Sequence, residues 1–118
     1  MSQHKQLARI TGVDLGIKMH MLSIGVHLQK EDGTEKIFGE YQLDNYDKDL
    51  NRMVGTAGGM DFILRLLQVF NTTELKFLRG RMCYAILNSD GDVVGLKSLN
   101  MDGGDEFLIS DWQKQWFE

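Results

Sequence analysis

The chain has 118 residues, a formal net charge of -4 and one cysteine, Cys83. Its length fits a single domain over residues 1–118, and its 42% hydrophobic and 25% charged residues are typical of a globular protein. Because the net charge is negative and there is no run of basic residues, nucleic acid is disfavoured as a partner. One cysteine excludes an internal disulfide and a four-cysteine zinc site, and the polar start of the chain predicts a cytoplasmic protein outside any membrane.

Alternating apolar residues predict two strands near the start of the chain. A frayed tail over residues 1–6 precedes the first strand, which extends from Leu7 to Ile17. Val13 and Leu15 are expected on one face of this strand. The second strand, Met21 to Leu28, has an aliphatic residue at every second position without a break, which is typical of a half-buried strand.

A third strand is predicted from Lys36 to Leu43, after a hairpin turn at Asp32-Gly33. Asp and Gly tolerate the positive φ angles that tight hairpin turns require. Gly39 allows a close approach or a bulge within this strand. The residues expected on its inner face are Ile37, Tyr41 and Leu43.

A long mobile loop and then a helix are predicted in the middle of the chain. Residues 44–57 show no apolar period, whereas Met60 to Phe70 carries its polar residues on one narrow helical stripe. Within that stripe Asp61 lies four residues before Arg65, a spacing that favours an ion pair. The apolar face is wider than one sheet face can cover. The C-terminal segment is the favoured cover, with a strongly curved sheet or a homodimer as alternatives.

The last part of the chain predicts a hairpin and a second helix. A short helix ended by Gly80 leads to a hairpin of Met82–Leu87 and Asp92–Leu99. A polar loop over residues 100–106 precedes a helix that starts near Ser110. The expected fold is therefore α+β: a five-stranded, mainly antiparallel, strongly twisted sheet, closing as a half-open barrel around one central helix, with a short C-terminal helix.

The glycine-rich segment before the central helix is a candidate ligand site. Free amides at a helix N-terminus can bind a phosphate or carboxylate, so Thr56, Gly58 and Gly59 are the residues expected to hold a nucleotide-like anion. A Walker loop is excluded because Met60 and Asp61 follow in place of Lys and Ser or Thr. The alternative interpretation is a flexible hinge.

Catalytic and metal sites have little support in the sequence. The three histidines lack the spacing of zinc ligands, and the segments 88–92 and 100–106 lack the register of a calcium loop. Cys83 lies in an apolar strand, where burial makes a reactive thiolate unfavourable. We therefore expect no catalytic residue, no bound metal and no cofactor.

Two pairs of residues are candidates for binding a protein partner. Arg79 and Arg81 flank Gly80 and could contact acidic groups, or they could form a solvated strand edge. Trp112 and Trp116 lie four residues apart on one helical face, where they, with Phe117, could anchor a partner or cover the central helix. The covering role is preferred for the tryptophans and the solvated edge for the arginines.

Several segments resemble a group of short uncharacterised proteins that phages and prophages encode. The segments that carry the resemblance are residues 39–44 (GEYQLD), 59–67 (GMDFILRLL), 78–81 (LRGR) and Asp111-Trp112. The chain departs from that group in the longer connection over residues 45–57. The resemblance implies a small accessory protein of viral origin, of a class that often binds and blocks a host enzyme or defence complex.

Together these observations favour a non-enzymatic protein-binding module. The leading hypothesis is a phage-encoded inhibitor of a host enzyme or defence complex, such as CRISPR interference, that acts by steric occlusion. Its expected partner is a host protein or protein complex. The alternative is a protein that sequesters a nucleotide-like anion at residues 55–59.

Overall fold

A computed structural model of the chain describes residues 3–99 and 105–117 and shows an α+β fold. Within these residues the strands are β1 His4–Lys18, β2 Met21–Lys30, β3 Glu35–Gln42, β4 Asp44–Asp47, β5 Arg52–Gly55, β6 Met82–Leu87, β7 Val93–Ser98 and β8 Glu106–Leu108. The helices are α1 Ala57–Val69 and α2 Ile109–Phe117, and a 3₁₀ turn, Leu75–Leu78, precedes β6.

Six strands form one antiparallel sheet in the order β3-β2-β1-β6-β7-β8, which does not close into a barrel. The prediction of an antiparallel α+β fold is confirmed, but the prediction of five strands is wrong by one. The additional strand, β8, has only three residues, too few to show an alternating pattern. The predicted polar loop lies mainly outside the described residues, because residues 100–104 are not described.

Residues 4–6, predicted as part of a frayed tail, belong to β1. His4 pairs with Leu87, and the ladder with β6 continues to Arg9. Because β6 supplies backbone partners, the polar side chains at this end of β1 do not prevent a strand from forming. The pairing with a distant strand leaves no local mark in the sequence.

The predicted mobile loop, residues 44–57, instead contains the hairpin β4–β5 and the start of α1. Asp44 pairs with Gly55, and the Asp47 carboxylate accepts the backbone N–H groups of Asp49 and Leu50 in the turn. These strands have four residues each and include many polar side chains, so no apolar period marks them.

A bulge in β3 reverses the face that the sequence predicts for its first half. Phe38 is fully buried and Ile37 is 43% exposed, whereas Ile37 was expected to face inward. The register shifts opposite Ile24 and Gly25, where Gly39 and Glu40 both have positive φ angles. After this extra residue Leu43 is buried and Tyr41 half-buried, as predicted.

The core lies between the inner face of the sheet and α1. Phe62, Leu66 and Val69 of α1 are buried, but Met60 and Leu64 are 68% and 49% exposed, so the buried stripe is narrower than predicted. Trp112 of α2 packs on Phe62 with their ring centroids 5.1 Å apart. The expected cover by the C-terminal segment is therefore confirmed. Neither described helix has the length and apolar character to span a membrane.

Candidate functional site

A solvent-open cavity of about 400 Å³ lies where the start of α1, the end of α2 and the β3–β4 connection meet. We call it the aromatic cavity. The residues that line it are Tyr41, Gln42, Asp44, Asn45, Thr56, Ala57, Gly58, Trp112, Gln113, Trp116 and Phe117. Residues predicted for two different sites, the anion loop and the tryptophan face, thus meet around one space.

Trp112 forms the buried base of the aromatic cavity. Its side chain is 1% exposed, and its Nε1 donates a 2.8 Å hydrogen bond to the backbone oxygen of Gly58. Edge-to-face packing on Phe62 holds the other side of the ring. Because this indole is fixed by both contacts, the base of the cavity is already formed in the unbound chain.

Tyr41 and Phe117 are the aromatic walls next to this base. The ring centroid of Tyr41 lies 5.9 Å from that of Trp112 with a 54° tilt, and that of Phe117 lies 5.1 Å away at 72°. Phe117 is 63% exposed, so much of its surface is open to solvent. Burial raises the pKa of Tyr41, with the charge of Asp92 adding to the effect, so its phenol is neutral at physiological pH.

Trp116 forms the rim of the aromatic cavity and is held there by α1. Its Nε1 donates to Asp61 Oδ2 at 2.9 Å, and Arg65 Nε donates to the same oxygen at 2.8 Å. Burial alone would raise the pKa of Asp61, but the hydrogen bonds from Arg65 and Trp116 lower it below its usual range. The Asp61–Arg65 pair predicted from spacing is confirmed.

The two glycines at the start of α1 permit close packing. A Cβ on Gly58 would lie 3.1 Å from the Trp116 ring, and one on Gly59 would lie 2.2 Å from the backbone oxygen of Leu43. The Thr56 hydroxyl donates to that same oxygen at 3.0 Å and accepts the N–H of Gly59 at 2.9 Å. Thr56 is therefore the N-cap of α1, with its hydroxyl already engaged.

Asp44 is the one acidic or basic residue among the described residues that line the aromatic cavity. It is 7% exposed, and its Oδ1 accepts the N–H of Leu22 at 3.1 Å. Because Asp44 lines the cavity, its carboxyl group lies next to the aromatic side chains.

The two arginines predicted as partner contacts lie away from the aromatic cavity. The Arg81 side chain donates to the backbone oxygen of Phe70 at 2.8 Å and so stabilises the C-terminal end of α1. Arg79 is exposed next to it. The structure does not bring this pair together with Trp112 and Trp116.

A second, wider groove of about 1010 Å³ lies between β2, β3 and β7. His27 lines it, and the His27 Nε2 and Asp14 Oδ2 atoms are 2.6 Å apart. In the part of the chain that the structure describes, no group of three or more His, Cys, Asp or Glu is placed to hold a metal ion.

Cys83 is buried, and burial raises the pKa of its thiol to about 12, which disfavours a nucleophilic role.

Sequence reasoning missed two residues of the aromatic cavity as site residues, Tyr41 and Asp44, whereas Phe117 was named with the tryptophans as a possible anchor. Tyr41 was assigned to the inner face of its strand and Asp44 to a loop, and neither assignment brought the residue to the same cavity as α2. The only local signal is a single aromatic residue, Tyr41, between two polar residues at the end of β3. The chain was compared with protein-family models, curated proteins and solved structures, and none matches.

Proposed function

We propose that the chain is a non-enzymatic protein-binding module that takes a positively charged side chain of its partner into the aromatic cavity. The observation that carries this proposal is the composition of the cavity: the aromatic side chains of Tyr41, Trp116 and Phe117 stand above the buried Trp112 and next to one carboxylate, Asp44. A partner with an exposed Arg or Lys complements both features.

The attraction has two components. Aromatic faces carry negative electrostatic potential, and a cation over such a face gains about 0.5–2 kcal/mol, more as water is excluded. The Asp44 carboxylate, which lines the cavity and whose Oδ1 accepts the N–H of Leu22, would add a charge-assisted hydrogen bond to an ammonium or guanidinium group. A planar guanidinium can also stack on an indole ring, so Arg is the preferred occupant.

The exposed aromatic rim favours a protein over a small free ligand. Trp116 is 37% exposed and Phe117 63% exposed, and both extend the apolar surface beyond the cavity mouth. Aromatic residues in such positions dominate the energetics of protein interfaces. The module would then act by steric occlusion, covering the functional surface of a host enzyme or defence complex, as the resemblance to phage accessory proteins implies.

Binding of a minimal cation tests the chemistry of the aromatic cavity. Tryptophan fluorescence is followed while N-acetyl-arginine amide is added to the whole chain, with N-acetyl-citrulline amide as the neutral isostere. We expect saturable quenching with a Kd on the order of 1–10 mM for the arginine derivative, because a contact of this size supplies only a few kcal/mol. The citrulline derivative should bind at least about tenfold more weakly.

The variant Asp44→Asn isolates the charge, since an amide oxygen can still accept the N–H of Leu22. We expect it to weaken arginine binding roughly fivefold or more. The matched control is Asp49→Asn, which removes the same charge at an exposed position outside the cavity and should leave binding unchanged. Equal binding of the arginine and citrulline derivatives, or equal effects of both variants, would contradict the proposal.

A further inference from the structure

The hairpin of β1 and β2 extends beyond the rest of the sheet and leaves one edge of β1 open. β6 pairs with β1 only from His4 to Arg9, and the last contact on that side joins Ile10 to Arg81 and Gly80. From residue 11 to residue 18 the only strand paired with β1, among the described residues, is β2. We call residues 13–18 of β1 the open edge.

The hydrogen-bond pattern shows which backbone groups of the open edge face outward. Leu22 O accepts from Leu43 N, so the backbone of Leu22 faces away from β1. Neighbouring residues of a strand direct their backbone N–H and C=O groups to opposite sides. The backbone groups of Ser23 therefore face β1, and those of its ladder partner Gly16 face β2. It follows that the N–H and C=O groups of Leu15 and Ile17 point outward.

The side chains of the open edge are apolar on one face and charged on the other. Leu15 is 47% exposed and Ile17 is 77% exposed, on the face that continues the core. Asp14 and Lys18 lie on the opposite face, with side chains 57% and 51% exposed. An exposed, apolar, unpaired edge is a template for pairing with another strand.

We propose that the open edge pairs with the open edge of a second copy of this chain, antiparallel and centred on Gly16. The two copies would form a symmetric dimer with a continuous sheet. This inference does not depend on the aromatic cavity. A second copy is the expected partner because the open edge is complementary to itself in one register.

In that register Leu15 lies opposite Ile17 of the second copy, and both present outward backbone groups, so each pair exchanges two hydrogen bonds. Asp14 lies opposite Lys18 of the second copy, and Lys18 opposite its Asp14, which pairs opposite charges twice. Gly16 meets its own copy, and the space around its Cβ position is open. A shift of the axis by one residue to Leu15 or Ile17 keeps the backbone bonds but loses the pairing of Asp14 with Lys18.

Sedimentation equilibrium of charge variants tests this arrangement. We expect the wild-type chain to dimerise reversibly, and Asp14→Lys or Lys18→Asp alone to weaken dimerisation at least about tenfold, because each variant places like charges opposite each other. An equimolar mixture of the two variants should form a heterodimer, since every opposing pair in it is again Lys with Asp. The double variant should dimerise like the wild type.

The control is Lys48→Asp, which changes the net charge by the same amount as Lys18→Asp at an exposed position away from the edge and should dimerise normally. Circular dichroism of each variant verifies folding, which the high exposure of both side chains favours. The proposal is overturned if the wild type stays monomeric at millimolar concentration, if the single variants dimerise as the wild type does, or if the mixture remains monomeric.

Discussion

Adjacent glycines at the start of α1 serve two different contacts. Gly58 lies under the Trp116 ring, and Gly59 lies against the backbone of Leu43. The first contact involves a side chain on the cavity rim, which can shift slightly. The second involves a backbone carbonyl that accepts the N–H and hydroxyl of Thr56, so it is held in place. Gly59 is therefore the less replaceable of the two.

Substitution of Gly59 by alanine should destabilise the fold by about 2 kcal/mol. Alanine in a helix interior normally gains up to about 1 kcal/mol over glycine, but the new Cβ would lie 2.2 Å from Leu43 O and force the backbone apart. Urea unfolding measures the change. Gly55→Ala, with nothing within 4 Å of its Cβ position, should stay within about 0.5 kcal/mol of the wild type. Equal losses of unfolding free energy in Gly59→Ala and Gly55→Ala would contradict the assignment of a fixed backbone contact to Gly59.

At the scale of single residues, the sequence identified Thr56, Gly58, Trp112 and Trp116 as important but separated them into two sites. Local patterns show that a glycine pair precedes a helix, and that two tryptophans share a helical face. They do not show that Leu43 and Trp116 come to lie against those glycines, because such contacts join segments far apart in the chain. The sequence could therefore identify these residues one by one, but it could not show that they line the same cavity.

The contact between α1 and α2 depends on one carboxylate. Asp61 accepts from Trp116 on α2 and from Arg65 on its own helix, and Arg65 also contacts Gln115. These hydrogen bonds favour the charged form of Asp61, which is why its pKa is lowered despite partial burial. The position of the cavity rim is thus linked to the ionisation of Asp61.

Stability should fall in acid partly through Asp61. Its folded-state pKa lies below the ordinary value of 3.8, so the unfolded chain binds more protons, and the stabilisation present above 3.8 is lost as the pH falls through the folded pKa. Urea unfolding at pH 7 and pH 2.5 should show a smaller loss for Asp61→Asn than for the wild type. Asp49→Asn, an exposed control without an ion pair, should match the wild-type loss. If the free energy of unfolding falls equally in the wild type and in Asp61→Asn between pH 7 and pH 2.5, ionisation of Asp61 does not contribute to the loss.

Among the strands, those with a regular apolar alternation were predicted correctly, whereas a bulge and a short polar hairpin were not. β2 alternates without a break, and Ile24, Val26 and Leu28 are buried as predicted. In β3 the bulge at Gly39 and Glu40 moves Phe38 inward in place of Ile37, since one extra residue exchanges the two faces of a strand. The short polar hairpin β4–β5 gave no pattern and was predicted as a loop.

At the scale of the molecule, the sheet curves so that its two ends approach each other. Phe38 of β3 and Phe107 of β8 belong to the outermost strands, yet their ring centroids are 5.4 Å apart, and both rings pack on Phe62 of α1. The sequence predicted the antiparallel α+β class because hairpin turns separate its strands. It could not show the aromatic cavity, which assembles residues from Tyr41 to Phe117.

The proposed role of the aromatic cavity is to receive a basic side chain of a protein partner. This role is tested by selection of a displayed random heptapeptide library on the intact wild-type chain, with parallel selections on Asp44→Asn and Asp49→Asn. We predict that peptides selected by the wild type and by Asp49→Asn are enriched in a single Arg or Lys between apolar residues, and that Asp44→Asn loses this enrichment. Selected peptides without a basic residue, or basic peptides that bind Asp44→Asn as well as the wild type, would contradict it.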